Sequence, residues 1–242
     1  MSAPAVRQFP SAAAKEQELK FHVPQHVTDS FRQWLGMTLQ PHRSHAETTV
    51  CSIYFDTPEG VSFLEKAASD FRKTKYRVRW YADGAGQPLS VPAFIEIKEK
   101  HGAARRKFRC PLPMTGAELA RTSFRDPSLT GLFQRHSPPG AETPPASLRP
   151  VLELRYLRRR YHHPIFPDSF CLDENIRCVR THPAAAPSGS ERPLPLAVFE
   201  QKGPSREAVP LLQALPRFGA RRAALSKYFL IMLQLLPHSR HS

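Results

Sequence analysis

The stretch Lys73-Thr74-Lys75-Tyr76-Arg77-Val78-Arg79-Trp80-Tyr81 alternates cations with apolar side chains. Lys73, Lys75, Arg77 and Arg79 share one parity, while Tyr76, Val78 and Trp80 share the other. A β-strand turns alternate side chains to opposite faces, so one face carries four cations and the other packs a core. A solvated outer face of an antiparallel sheet alternates in the same way, and this strand alone does not choose between the two. Working outward, an acid–base phrase occurs three times: Glu18-Leu19-Lys20, Glu96-Ile97-Lys98 and Glu200-Gln201-Lys202. In each the acid and the base fall on one strand face, and Lys107 and Arg109 add another alternating pair. A closed barrel with a charged interior accounts for all of these, provided a polyanion and its metal neutralise that interior.

The chain has 242 residues, enough for one sizeable domain with a real core. Lys and Arg number 35 against 21 Asp and Glu, a net charge of +14, so an anionic partner is expected. No helix-turn-helix, zinc or RNP-like pattern accompanies the charge, and the bases alternate with acids on common faces; nucleic acid is not expected. There is no GxxxxGK[ST] phosphate loop. Cys51, Cys110, Cys171 and Cys178 form no CxxC pair and read as small core residues. The longest apolar run, Tyr228 to Leu236, is too short to span a bilayer, so no membrane span is expected and the cytoplasm is the expected location.

Proline, 25 residues in all, clusters in segments without periodicity. Residues 1–14 read as a flexible tail, and about 136–147 and 181–195 as loop insertions within a single domain spanning 15–237. Val27, Phe31, Trp34, Leu35 and Leu39 recur at helical spacing. A short helix is expected over Val61–Ala68, and an apolar one over Ala223–Leu236, stopped by Pro237.

The ordered runs ELKFHV, CSIYFDTP, KYRVRWY, FIEIKEK, VLELRYLRRRY, CLDENIRC, AVFEQKG and LSKYFLIM resemble the VTC (vacuolar transporter chaperone) or polyphosphate polymerase domain. That family belongs to the CYTH-like triphosphate tunnel metalloenzymes, and Glu16-Gln17-Glu18-Leu19-Lys20 also fits the ExExK signature of the CYTH branch. The resemblance implies an α+β fold: an antiparallel barrel of about eight strands, helices packed outside, and a tunnel lined by Lys, Arg and Glu. It implies that Lys20, Arg77, Arg79, Lys98 and Lys227 are the catalytic cations. Lys75, Lys107, Arg109, Arg158 and Lys202 join them as phosphate contacts. Glu200 matches the metal-binding glutamate, with Glu18 and Glu96 beside it, and the metal would be Mn or Mg. ATP or another triphosphate, and polyphosphate, are the implied partners. Polyphosphate synthesis from the ATP γ-phosphate is the leading activity, with triphosphate hydrolysis or simple polyphosphate binding as alternatives. One stretch departs: the family's RxTxD-like strand is here Ser169-Phe170-Cys171-Leu172-Asp173, leaving Arg155, Arg159 or Arg177 as candidates to replace the missing contact.

Overall fold

A computed structural model describes residues 17–185, 193–204, 210–224 and 226–236. The tail 1–14, Glu16, Pro237 and part of the 181–195 insertion lie outside the described residues. The strands are β1 (Gln17–Pro24), β2 (Gln40–Pro41), β3 (Glu47–Asp56), β4 (Arg72–Ala82) and β5 (Pro92–His101). They continue with β6 (Ala104–Thr115), β7 (Arg149–His162), β8 (Ser169–Thr181), β9 (Leu196–Gly203) and β10 (Arg221–Arg222). All pairings are antiparallel, in the order β10-β1-β9-β8-β7-β3-β4-β5-β6, with the two-residue β2 beside β7.

The closed barrel expected from the sequence is therefore corrected in one respect. Eight long strands run from β1 to β6, but among the described residues no ladder joins β1 to β6; the ten-stranded sheet is open. The residues themselves explain the open edge. β1 spends part of its free edge on β10, through Phe21↔Arg222 and His22↔Arg221. β6 carries Pro111 and Pro113, which lack N–H donors, and Arg105, Arg106 and Lys107, whose charge resists strand addition. The two ends do approach through side chains: Arg105 of β6 lies 3.8 Å from Glu18 of β1.

Strand alternation splits the apolar residues into three clusters. One outer cluster sets Cys51, Ile53, Tyr76, Val78, Trp80, Ile95 and Ile97 against α3 (Gly116–Arg121) and α4 (Leu132–Arg135). A second sets Leu19, Phe21, Phe170, Leu172 and Phe199 against α1 (Thr28–Thr38) and the 3-10 helix Pro210–Phe218. Phe31 anchors α1 there, edge-on to both Phe199 (5.3 Å) and Phe218 (5.2 Å). The third cluster lies on the opposite face of the sheet, where Val50, Tyr54, Leu152, Leu154, Tyr156 and Val198 meet Tyr228 and Ile231 of α5 (Lys227–Leu235). The inner face is thus apolar where α5 plugs it and charged along the remainder.

The helices near the expected Val27–Leu39 and Val61–Ala68 segments form as α1 and α2 (Val61–Ala67). The carboxylate of Asp56 caps α2 by accepting from the backbone N–H of Ser62 (2.8 Å) and Phe63 (3.1 Å). The C-terminal helix starts four residues later than expected. Arg221 and Arg222 pair with β1, Ala223 N–H donates to Lys20 O, and Ser226 Oγ accepts from Phe229 N–H as the cap.

Candidate functional site

The registers of β4, β5 and β6 stack cations in rows across the inner face. Lys73, Lys100 and Arg105 form one row, and Lys75, Lys98 and Lys107 the next. Arg77, Glu96 and Arg109 form a third. Like charges directly opposite one another destabilise a sheet, so the lysine row works against folding. The cost is visible in the protonation of its members. Burial, with Lys20, Lys66 and Arg77 nearby, pushes the Lys75 ammonium down to about 7. Arg77, then burial and Lys20, hold Lys98 well below the usual lysine range, and burial lowers Lys107 as well. Among the described residues Lys75 Nζ finds only a hydroxyl, Ser226 Oγ at 2.9 Å. Lys98 makes no ion pair with any described residue.

Glu96 is the one acid of these three rows, and it is fully buried. Its Oε2 accepts from Arg77 Nε at 2.8 Å and lies 3.8 Å from Arg79. Its Oε1 is 3.3 Å from Lys107 Nζ and 3.6 Å from Arg109 Nε. Burial would raise this carboxyl, but Arg77, Arg79 and Lys107 outweigh it and keep it ionised far below the ordinary range. Two tyrosines fix the guanidiniums from behind: Arg77 donates to Tyr54 Oη (3.2 Å) and Arg79 to Tyr156 Oη (3.1 Å). Arg79 also donates to Ser52 Oγ at 3.1 Å.

The facing wall comes from β1, β9, β8 and β7. There Lys20 stands opposite Glu200, Glu200 opposite Cys171, and Cys171 opposite Arg160. The buried Glu200 is ringed by Lys202 (3.3 Å), Lys20 (3.4 Å), Lys227 (3.4 Å) and Arg158 (3.6 Å). Burial opposes its ionisation, yet Lys227, Lys20, Arg158 and Lys202 hold its carboxyl well below the usual carboxylate range. Glu18 bridges Lys20 (3.2 Å) and Lys202 (3.5 Å). Asp173, buried, takes a bidentate pair from Arg158 (2.6 and 2.7 Å) and the Lys227 ammonium at 2.6 Å. Lys227 is raised in turn by Asp173 and Glu200, against its own burial.

All thirteen residues singled out from the sequence thus face one inner surface. Ten are cations, and the three acids Glu18, Glu96 and Glu200 lie among them. The three arginines expected to make good the missing contact do not. Arg155 pairs with Glu153, and Arg159 with Glu47 and Glu174, while Arg177 stands opposite Arg155; alternation places all three away from Arg158. The reading also overlooked Asp173, Arg160, Tyr54 and Tyr156. Parity alone marks Asp173, two residues beyond Cys171, and Arg160, two beyond Arg158. Nothing local marks the tyrosines, which read as core aromatics.

The donor set suits a hard divalent cation. Glu18, Asp173 and Glu200 offer only oxygen, and they repel one another, as the upward pull of Glu200 on both Glu18 and Asp173 shows. Their oxygens do not converge, however: among the described residues the three-donor group within 4.8 Å of one another is Glu99, His101 and Glu142, on the outer face. Its two carboxylates are already paired, with Arg106 and Arg72 respectively.

The VTC domain family matches residues 15–236. The chain belongs to the VTC domain family. Among curated proteins none matches it. Among solved structures, a candidate adenylate cyclase from Bacillus halodurans superposes with a TM-score of 0.53 at 17% identity, covering 88% of this chain and 94% of its own. A candidate adenylate cyclase from Vibrio parahaemolyticus follows with a TM-score of 0.44 at 11% identity, over 92% and 99% of the two chains. The first likeness is one of overall fold; the family membership supports phosphoryl chemistry on triphosphates as the class of activity. None of its described helices is long and apolar enough to cross a membrane.

Proposed function

We propose that this VTC domain is a metal-dependent phosphotransferase that lengthens polyphosphate with the γ-phosphate of ATP, on the inner face of its sheet. The observation that carries the reading is the row Lys75–Lys98–Lys107, three lysines in register of which only Lys107 reaches a carboxylate (Glu96, 3.3 Å), beside the Arg77–Glu96–Arg109 row. A polyanion with one negative charge per repeat relieves that repulsion; a single monoanion does not reach across it.

Phosphoryl transfer needs in-line positioning and neutralisation of charge more than covalent help. Arg77 and Arg79 present planar forks, preset by Tyr54, Tyr156 and Ser52, to the equatorial oxygens of the transferring group. Lys20, Lys202 and Lys227 offer compact charges to the neighbouring phosphates. Lys75, Lys98 and Lys107 line the path of the acceptor chain. Glu200, with Glu18 and Asp173, would hold Mg or Mn, which supplies charge neutralisation on the leaving oxygens. The replacement of the family's RxTxD-like strand by Ser169–Asp173 keeps its acid: Asp173 is held by Arg158 and Lys227, so the departure spares the metal side of the site.

The test is incubation of the pure protein with ATP, Mn or Mg, and a short polyphosphate primer. Growth of the primer is the expected result. Release of orthophosphate without growth would make the protein a triphosphate hydrolase, and tight polyphosphate binding without either product would make it a binding module.

A further inference from the structure

Outside the charged interior, the strands β7 and β8 carry a second concentration of arginine that the proposed reaction does not use. A cavity of about 300 Å³ on the α3 side of the sheet is lined by Ala120, Glu153, Arg155, Arg177, Val179 and Arg180. Arg155 and Arg177 are direct cross-strand partners, so two guanidiniums are set side by side. Glu153, fully buried, is the sole acid of the lining and is shared: its Oε1 accepts from Arg155 Nε and its Oε2 from Arg180 Nε, each at 2.7 Å. Three guanidiniums against one carboxylate leave the cavity with a charge of +2.

The three arginines are not equivalent. Arg180 is committed to the fold, since its two terminal nitrogens donate to the backbone oxygens of Thr122 and Leu119, both at 2.6 Å, at the end of α3. Its guanidinium also lies over the Phe124 ring at 4.4 Å. Among the described residues Arg155 keeps both terminal nitrogens available once Nε has been given to Glu153. Arg177 is exposed, and among the described residues it makes neither ion pair nor hydrogen bond. A wall fixed by Arg180 and Glu153 therefore presents two open forks to the cavity. Two forks match several oxygens of one tetrahedral group, and a charge of +2 matches a dianion.

We infer that this cavity is a second anion site, distinct from the charged interior, that takes a dianionic phosphoryl group between Arg155 and Arg177. The group is either free orthophosphate or the terminal phosphoryl of a phosphomonoester. The inference does not rest on the proposed polymerase activity, because every residue in it lies on the other face of the sheet.

Crystals of the full chain soaked in tungstate, a tetrahedral dianion with strong anomalous scattering, test the location. A peak between Arg155 and Arg177 is expected, and it should vanish in Arg177→Glu while density on the inner face persists. In solution, calorimetric titration with orthophosphate and with glucose 6-phosphate tests the binding and its source. Arg177→Glu should weaken the tighter of the two at least tenfold, with tripolyphosphate binding unchanged within twofold; Arg177→Gln should give an intermediate loss. Tighter binding of glucose 6-phosphate assigns a phosphomonoester, and tighter binding of orthophosphate assigns the free ion. The absence of tungstate from this cavity, or titrations that Arg177→Glu leaves untouched, overturns the inference.

Discussion

Glu200 is an acid among four cations, and its removal separates two roles that the inner face combines. Glu200→Gln is expected to abolish ATP-dependent turnover, because the proposed metal ligand goes, yet to hold polyphosphate within about tenfold, or roughly 1.4 kcal/mol. Product analysis beside a binding isotherm checks both halves; undiminished turnover would remove Glu200 from the metal site. Asp173→Ala should behave differently, since Arg158 and Lys227 would be left as buried charges without their acid. A loss of about 3–5 kcal/mol in denaturant unfolding is expected from breaking such a buried pair. Lys75 adds a pH signature. Its folded pKa of about 7 lies below the ordinary 10.5, so between those values the unfolded chain binds more protons and stability rises with pH. The ammonium thus weakens the fold progressively as pH falls from 10.5 to 7. A bound polyanion restores the charged form, so tripolyphosphate binding at pH 8 should take up a proton. Calorimetry in buffers of different ionisation enthalpy reads this uptake, and Lys75→Met should reduce it; an uptake unaltered by the substitution would show that Lys75 is not the group. Strand parity made Lys20 and Arg77 legible in the sequence, because each stands between apolar neighbours, whereas Lys98 and Glu200, followed by Glu99 and Gln201, stood out through the repeated acid–base phrase. Asp173 was hidden by the missing arginine and threonine before it, although its own position was intact.

At the scale of elements, the strands that alternate sharply were readable, as was the short α2, but α3 and α4 were not. β4 is a run of strict alternation, whereas α3 spans only Gly116–Arg121 and has too few turns to show a period. Its signal is instead a capping box: Thr115 Oγ1 accepts from Glu118 N–H, and the Glu118 carboxylate accepts from Thr115 N–H at 2.7 Å. Thr115→Ala is expected to cost about 1 kcal/mol by the loss of that cap. Gly116→Ala should cost more, because a Cβ there would come within 2.3 Å of the Trp80 ring, deep in the outer core. Thermal unfolding of the two variants ranks them, and a milder effect for Gly116→Ala would mean that α3 can shift without disturbing Trp80. The late start of α5 has a similar origin. The apolar run into Tyr228 suggested an earlier helix, but backbone pairing of Arg221 and Arg222 with β1 held that segment extended. Tertiary pairing of this kind leaves no local trace.

Across the whole molecule, an excess of positive charge is gathered on the inner face of the sheet at the expense of stability. Tripolyphosphate should therefore raise the melting temperature, by more than the same phosphate supplied as orthophosphate, and the increment should shrink as salt is added. Equal increments for the two anions would mean that no row of lysines reads a chain. Among the described residues, the long strands β1 and β6 share no backbone ladder and approach each other through Glu18 and Arg105. A pore closed by a continuous ladder admits a thread only by its tip. A slit bridged by side chains can part along its length, so a long polymer bound as proposed would not need to be threaded: it would be laid in sideways, gripped at any point along its middle, and released without sliding back to an end.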